Sequence, residues 1–263
     1  MRDNLLIIVT GRKRVGKSYE SLRQLLYYAY ISKKPKKAII FDVNNEYGNY
    51  VIDKKTHRIP IIKERDLIKY SNFQGGEVRR IVPMKDNGLP MNSEELENLL
   101  LKTITYFRNG IILIEDLNTI WGDSLPVRFS SLLCNNAHRG ADVMLQIQSV
   151  GRLLPKLLQN CDIIRFHAQL DDVDDSKGKL VGDWKILKIA QLMVNKVTKK
   201  GNLQQDKKLQ SFFVNVYRHE GQLRGEFSPR MLATAIQDFL LENPSELSSM
   251  LRRRDIKGKN IYT

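Results

Sequence analysis

Leu5-Leu6-Ile7-Ile8-Val9-Thr10-Gly11-Arg12-Lys13-Arg14-Val15-Gly16-Lys17-Ser18 is the stretch that decides the fold. Its first half is a short unbroken apolar run, the pattern of a strand covered on both faces. Its second half matches GxxxxGK[ST] at every fixed position. From Lys17 onward Leu22, Leu25, Leu26, Ala29 and Tyr30 recur at three and four, which predicts a helix to about Ile31. A tight turn between such a strand and helix offers successive backbone N–H groups and the positive helix end to a phosphate. Gly11, Arg12, Lys13, Arg14, Val15, Gly16, Lys17, Ser18 and Tyr19 are therefore the candidate ATP-binding residues. Lys17 is expected at the β- and γ-phosphates and Ser18 on Mg²⁺. Arg12, Lys13 and Arg14 either add field at the phosphates, touch a neighbouring subunit, or stand solvated on an exposed loop.

Working outward, Lys33 to Lys37 ends the first helix and Ala38-Ile39-Ile40-Phe41 gives a second buried strand closing in Asp42. Residues 43 to 95 are polar and broken by proline and glycine. A short strand at Arg80 to Pro83 and a helix start at Asn92-Ser93-Glu94-Glu95 are the features expected there. Ile111 to Ile114 is a third strand, followed by a helix around Pro126 to His138. Asp142 to Gln146 is a fourth strand, Leu153 to Asn160 a short helix, and Ile163 to Phe166 a fifth strand. Beyond Gly178, Trp184 to Val197 fits a helix and Phe212 to Tyr217 alternates as a strand adding to the sheet edge. Arg218 to Gln222 is its turn, and Pro229 to Leu241 and Pro244 to Leu251 are helices. Strands alternating with helices predict an α/β class with a mostly parallel central sheet. The expected organisation is one domain over 1–263: a core at 5–170, a helical and edge-strand elaboration at 171–251, and a basic tail at 252–263.

Composition bounds the rest. In 263 residues, 42% are hydrophobic and 27% charged, which excludes wholesale disorder. Two cysteines, Cys134 and Cys161, exclude a disulfide scaffold. No apolar run approaches the roughly 18 residues of a membrane span, and the first strand starts too early to leave room for a signal peptide. The expectation is an intracellular, cytoplasmic protein. A formal charge of +14 suggests a polyanionic partner, nucleic acid foremost, though surplus Lys and Arg also serve solubility.

Glu115-Asp116 follows the third strand in the manner of a Walker B element, beside the phosphate loop. By register Glu115 takes the metal role and Asp116 orients or deprotonates the attacking water. In the fourth strand Gln148 could sense the γ-phosphate, whereas Gln146 could only tie strands together. Arg139 could reach across a subunit boundary to the γ-phosphate, or serve as a helix C-terminal charge favoured by the dipole. Arg128, Arg152 and Arg165 are the other candidates. The four histidines lack metal-ligand spacing.

The combination of Thr10 to Ser18, Phe41-Asp42-Val43-Asn44-Asn45-Glu46-Tyr47, Ile114-Glu115-Asp116, and His138 to Val143 leading to Gln148-Ser149 resembles the FtsK/HerA superfamily of DNA-pumping ATPases. It looks most like the genome-packaging ATPases of membrane-containing icosahedral viruses. The resemblance covers about residues 5 to 170. It implies a RecA-like P-loop fold of the additional-strand type with strand order 5-1-4-3-2. It also implies a homo-oligomeric ring, commonly a hexamer, that threads double-stranded DNA on ATP and Mg²⁺, with capsid or membrane proteins at a packaging vertex as further partners. Carried over by position, Lys17, Ser18, Glu115, Asp116 and Gln148 form the site, with Asp42 and Glu46 near its edge. Conjugation or filamentous-phage export ATPases and cellular HerA-like proteins are the alternatives. Duplex contact would fall to basic clusters at Lys33 to Lys37, Lys196 to Lys208 and Arg252 to Lys259, tracking phosphates without reading bases.

Overall fold

The computed structural model describes residues 4–116, 127–134, 140–153, 155–180 and 182–246. Its centre is a sheet in which six strands run parallel: β1 (Leu6–Thr10), β2 (Lys37–Phe41), β5 (Val78–Ile81), β6 (Gly110–Ile114), β7 (Asp142–Ile147) and β8 (Ile163–Phe166). β9 (Val214–Tyr217) joins β8 antiparallel and β10 (Gln222–Arg224) extends that edge, giving the order β10-β9-β8-β1-β7-β6-β2-β5. The five strands expected from sequence stand in the implied order 5-1-4-3-2. The tentative strand near Arg80 is a full sixth parallel strand, set two residues earlier and placed outside β2.

Period-two alternation sorts each strand onto two apolar faces. Leu6, Ile8, Ile39, Ile112, Ile114 and Leu145 face one cluster. That cluster is completed by α2 (Leu67–Ser71), α3 (Ser93–Tyr106), α4 (Val127–Cys134), α5 (Pro155–Asn160), α6 (Trp184–Gln204) and, beyond the short α7 (Lys207–Gln210), α8 (Pro229–Glu242). Ile7, Val9, Ile40, Leu113 and Met144 face the other, covered by α1 (Lys17–Leu26) and by a hairpin of β3 (Asn49–Ile52) and β4 (Lys55–Arg58). Coverage on both sides explains why the strands read as continuous hydrophobic runs. Residues 184–239 share the apolar cluster of the first 170, so the elaboration and the core pack as one body.

Local chemistry sets the boundaries. Asn92 caps α3 through a reciprocal capping box with Glu95, and Ser228 caps α8 ahead of Pro229. α1 widens after Leu26 into a π-type turn over Tyr27–Ile31, closed by the Ser32 N–H donating to the Tyr27 carbonyl at 2.9 Å. The β3–β4 hairpin has no counterpart in the sequence reading. Among the described residues, no helix is long and apolar enough to cross a membrane.

The basic cluster at Lys33 to Lys37 divides: Lys33 and Lys34 are exposed, and the last two lysines are engaged within the fold. Lys37 is buried and donates to the carbonyls of Ser71 (2.6 Å) and Phe73 (2.8 Å), while Lys36 pairs with Asp142 at 3.3 Å. These two lysines fasten the sheet, because a buried ammonium is tolerated only where it is hydrogen-bonded. They do not present a phosphate-tracking surface.

The loop leaving β2 is fixed by a buried ion pair. Asp42 accepts the N–H groups of Glu46 (2.8 Å) and Tyr47 (3.1 Å), and Arg80 Nη1 lies 2.9 Å from its Oδ2. Arg80 Nε donates to the Ile59 carbonyl at 3.1 Å, so the same guanidinium ties β2, β5 and the strand leaving the hairpin together. Asp42→Ala leaves that guanidinium buried and uncompensated, and is expected to destabilise the fold by about 3–5 kcal/mol. Chemical denaturation of the purified variant against wild type measures it.

Candidate nucleotide site

β1 delivers the chain to Gly11 at the carboxyl edge of the sheet, where polar groups can collect without burial in the core. Two glycines of the loop need backbone that other residues rarely adopt: Gly11 has φ +154° and Gly16 φ +83°. A Cβ at Gly11 would stand 2.7 Å from that of His167, and one at Gly16 would stand 2.8 Å from that of Ser211. The loop is thus wedged between the end of β8 and the segment following α7.

A cleft of about 430 Å³ opens over the start of α1. Lys13, Arg14, Gly16, Lys17, Ser18 and Tyr19 line one side of it. Glu115 and Asp116 from β6, Gln146 and Gln148 from β7, and Glu46 and Tyr50 from the loop and hairpin line the rest. Sequence positions from 13 to 148 therefore converge because four strand ends share one edge. Gly11, Arg12 and Val15 are not among the residues that line the cleft. The Arg12 N–H donates to the Ala168 carbonyl at 2.8 Å, and Val15 is buried, its carbonyl 3.1 Å from His167 Nδ1. These residues hold the shape of the loop. His167 is kept neutral by burial, which pushes its pKa down to about 3 with Arg165 and Lys17 adding to the effect. It donates Nδ1–H to that carbonyl.

Lys17 turns back on its own loop, donating to the carbonyls of Gly11 (2.5 Å) and Arg12 (2.9 Å). Burial lowers its pKa to about 8 against the opposing pull of Asp116 and Glu115. Glu115 is buried, and one oxygen, Oε1, takes both neighbours: the Tyr47 hydroxyl at 3.0 Å and the Ser18 hydroxyl at 3.3 Å. Its Oε2 is buried without a hydrogen-bond partner. Desolvation raises the Glu115 pKa to about 7; the Tyr47 hydrogen bond opposes the rise, while Glu46 and Asp42 add to it. Asp116 has φ +47° and accepts Gln148 Nε2 at 3.1 Å. Gln146 is buried beneath Ser18, with its Oε1 3.5 Å from the Ser18 hydroxyl, so it belongs to the cleft as well as to the strand.

The candidate arginines separate. Arg139 lies outside the described residues, as does the tail at 252–263. Arg128 on α4 and Arg152 are exposed. Arg165 is buried on the α1 face of β8, where it bonds Gln24 and Asn215 and lies 5.0 Å over the Phe213 ring. It fastens α1 to the sheet. Of the remaining lysines, Lys196, Lys199, Lys200, Lys207 and Lys208 are exposed where α6 turns into α7. Lys196 faces Asp238 at 3.7 Å and Lys208 faces Glu226 at 3.2 Å. Sequence reasoning missed Tyr47, whose signal was its place five residues after the strand-ending Asp42, and Arg80, the second of two consecutive arginines in a four-residue strand.

A parallel sheet of this order, with a phosphate loop and an acidic pair at its carboxyl edge, defines a P-loop NTPase fold. Among solved structures, the chain is similar to the genome packaging NTPase B204 of Sulfolobus turreted icosahedral virus 2. In complex with ATP-gammaS that protein matches at a TM-score of 0.53 and 18% identity, over 85% of this chain and 97% of the other. In complex with AMP it matches at 0.50 and 17% identity, over 86% and 99%. B204 of Sulfolobus turreted icosahedral virus, a DNA-packaging ATPase, matches at 0.50 and 15% identity, over 85% and 97%. No protein-family model matches the sequence, and no curated protein matches it. The fold expected from the resemblance to packaging ATPases is thus the fold observed.

The raised pKa of Glu115 has a thermodynamic consequence. Between its ordinary 4.5 and about 7, the folded protein holds a proton that the unfolded chain releases. The contribution of Glu115 to stability therefore falls as pH rises through that window. His167, held neutral with a pKa near 3 against its ordinary 6.5, contributes the opposite slope below about pH 6.5, so melting temperatures of the metal-free protein are expected to drop only between about pH 6.5 and 7.5, and Glu115→Gln to remove that drop.

Proposed function

We propose that this chain is an ATP hydrolase that drives double-stranded DNA into a viral capsid. The observation that carries the reading is the convergence of Lys17, Ser18, Glu115, Asp116 and Gln148 on one cleft, in a fold shared with a genome packaging NTPase. The cleft's residues fit a magnesium ion: Glu115 and Ser18 both line it, and the carboxylate keeps one buried oxygen with no partner. Among the described residues no trio of His, Cys, Asp and Glu forms a metal cage. That agrees with a cation held by one or two protein groups, the substrate phosphates and water. Bound there, Mg²⁺ would neutralise charge on the phosphates.

The chain's own groups supply the remaining work. The N–H groups at the start of α1 hold the phosphates, and Lys17 leaves the loop carbonyls to meet them. Ser18 and Glu115 hold the cation. Asp116 orients the attacking water and takes its proton, and Gln148, bonded to Asp116, relays the presence of the γ-phosphate to that base. The working form is a ring, six subunits being the expected number, in the host cytoplasm or on the virion. Its partners are duplex DNA of any sequence and capsid or membrane proteins at one vertex. Arg139 from a neighbour completes the site, and exposed lysines of the α6–α7 turn and the basic tail follow DNA phosphates. An excess of positive charge over the whole chain supports a polyanionic partner.

Steady-state ATP turnover with and without long duplex DNA tests the reading. Stimulation by DNA is expected, and turnover indifferent to DNA would favour the assembly-switch alternative. Lys17→Ala is expected to weaken ATP binding by about 1.5–3 kcal/mol, the worth of a charge-assisted hydrogen bond; direct titration reads it. Asp116→Asn is expected to keep nucleotide binding and lose about 10²- to 10⁴-fold in turnover, measured by phosphate release.

A further inference from the structure

Glu115 has two carboxylate oxygens, and the structure treats them differently. Both hydroxyl donors, from Tyr47 and Ser18, converge on Oε1, and Oε2 is left buried and bare. A glutamate carboxylate turns easily about its last torsion, and because its two oxygens are equivalent, what must be fixed is the plane of the group. Ser18 cannot do this alone, because its hydroxyl is also wanted at the metal. Tyr47 can. Its ring is fully buried and stacks on Tyr50 at 5.6 Å and 15°. Its backbone N–H is held by Asp42, which is itself held by Arg80. The phenol therefore has one position, set by packing and by a buried ion pair rather than by the carboxylate it meets.

We propose that Tyr47 is the positioning residue of the cation site: by donating to Glu115 Oε1 it fixes the rotation of the carboxylate that would hold the metal. This deepens the reading of the cleft as a magnesium–nucleotide site and rests on it. The tyrosine touches neither nucleotide nor metal in this role; it acts through Glu115. The requirement is for a donor at that oxygen. Phenylalanine would fill the same space and leave the carboxylate free to rotate.

The test is the binding of Mn²⁺, as a spectroscopic stand-in for Mg²⁺, to ADP-loaded protein, followed by electron paramagnetic resonance. In Tyr47→Phe the Mn²⁺ affinity is expected to fall about 10-fold, at the lower end of the effect of a group that orients a metal ligand. ADP binding without metal should stay within about twofold of wild type, a smaller change than a 0.5 kcal/mol perturbation produces. The Mg²⁺ concentration for half-maximal turnover should rise with the same factor while maximal turnover falls much less. In a Glu115→Gln background the Tyr47→Phe change should cost nothing further, since the effect runs through the carboxylate. If Tyr47→Phe proves unfolded by circular dichroism, Tyr47→Met supplies an apolar residue without the hydroxyl for the same comparison.

Mn²⁺ affinity unchanged in a folded Tyr47 variant, with Glu115→Gln impaired, would overturn the role of Tyr47 alone. An equal loss from Tyr47→Phe in both backgrounds would also overturn it. Unchanged affinity in Glu115→Gln itself would instead overturn Glu115 as the metal ligand, and with it the underlying reading of the cleft.

Discussion

A parallel sheet covered on both faces has almost nowhere to put a polar group except at the ends of its strands. That constraint organises this molecule. Every residue of β1, β2, β6 and β8 is buried, so charge and hydrogen-bonding capacity are pushed to the carboxyl edge, where the phosphate loop, the acidic pair and the glutamines meet. The exceptions inside the sheet are compensated at most of their polar atoms, with Gln146 Nε2 and Arg165 Nη1 left buried and bare. Arg165 and Gln146 flank Val9 in one transverse row beneath α1, and both find partners on that helix. Lys37 finds two carbonyls and Arg80 a carboxylate. Polar groups this deep would otherwise cost several kcal/mol each, so their partners are as much a part of the fold as the leucines.

The same constraint decides what could be read in the sequence. Strands that must be apolar on both sides announce themselves, and Leu5 to Val9, Ala38 to Phe41 and Ile111 to Ile114 did so within a residue or two. The phosphate loop was legible because its chemistry demands fixed spacing. Asn92 was legible because an N-cap with a glutamate three residues on has a mechanism behind it. The hairpin was not. Lys55 to Arg58 is a wholly polar strand with mostly exposed side chains, and its turn at Asp53-Lys54 takes positive φ at both residues without the glycine or asparagine that usually marks it. Val78 to Ile81 was half legible, since two consecutive arginines disguise a strand whose second arginine points inward to Asp42.

At the site, sequence spacing located the acids and the lysine but not how they are held. No local pattern says that Tyr47 will meet Glu115, because the contact spans 68 positions and depends on the geometry of the loop after β2. Nor does the loop motif say which of its members face the ligand. The backbone groups of Arg12 and Val15 are engaged by Ala168 and His167, which follow the end of β8 far along the chain.

The close approach of Ser211 to Gly16 ties two distant parts of the chain mechanically. Ser211 ends the segment after α6, and that segment is itself locked to the helix, since Leu209 lies where a Cβ on Gly201 would be. Both positions therefore exclude any side chain: a methyl group on Gly16 or Gly201 would have to push that elbow of the chain away from the surface it rests on.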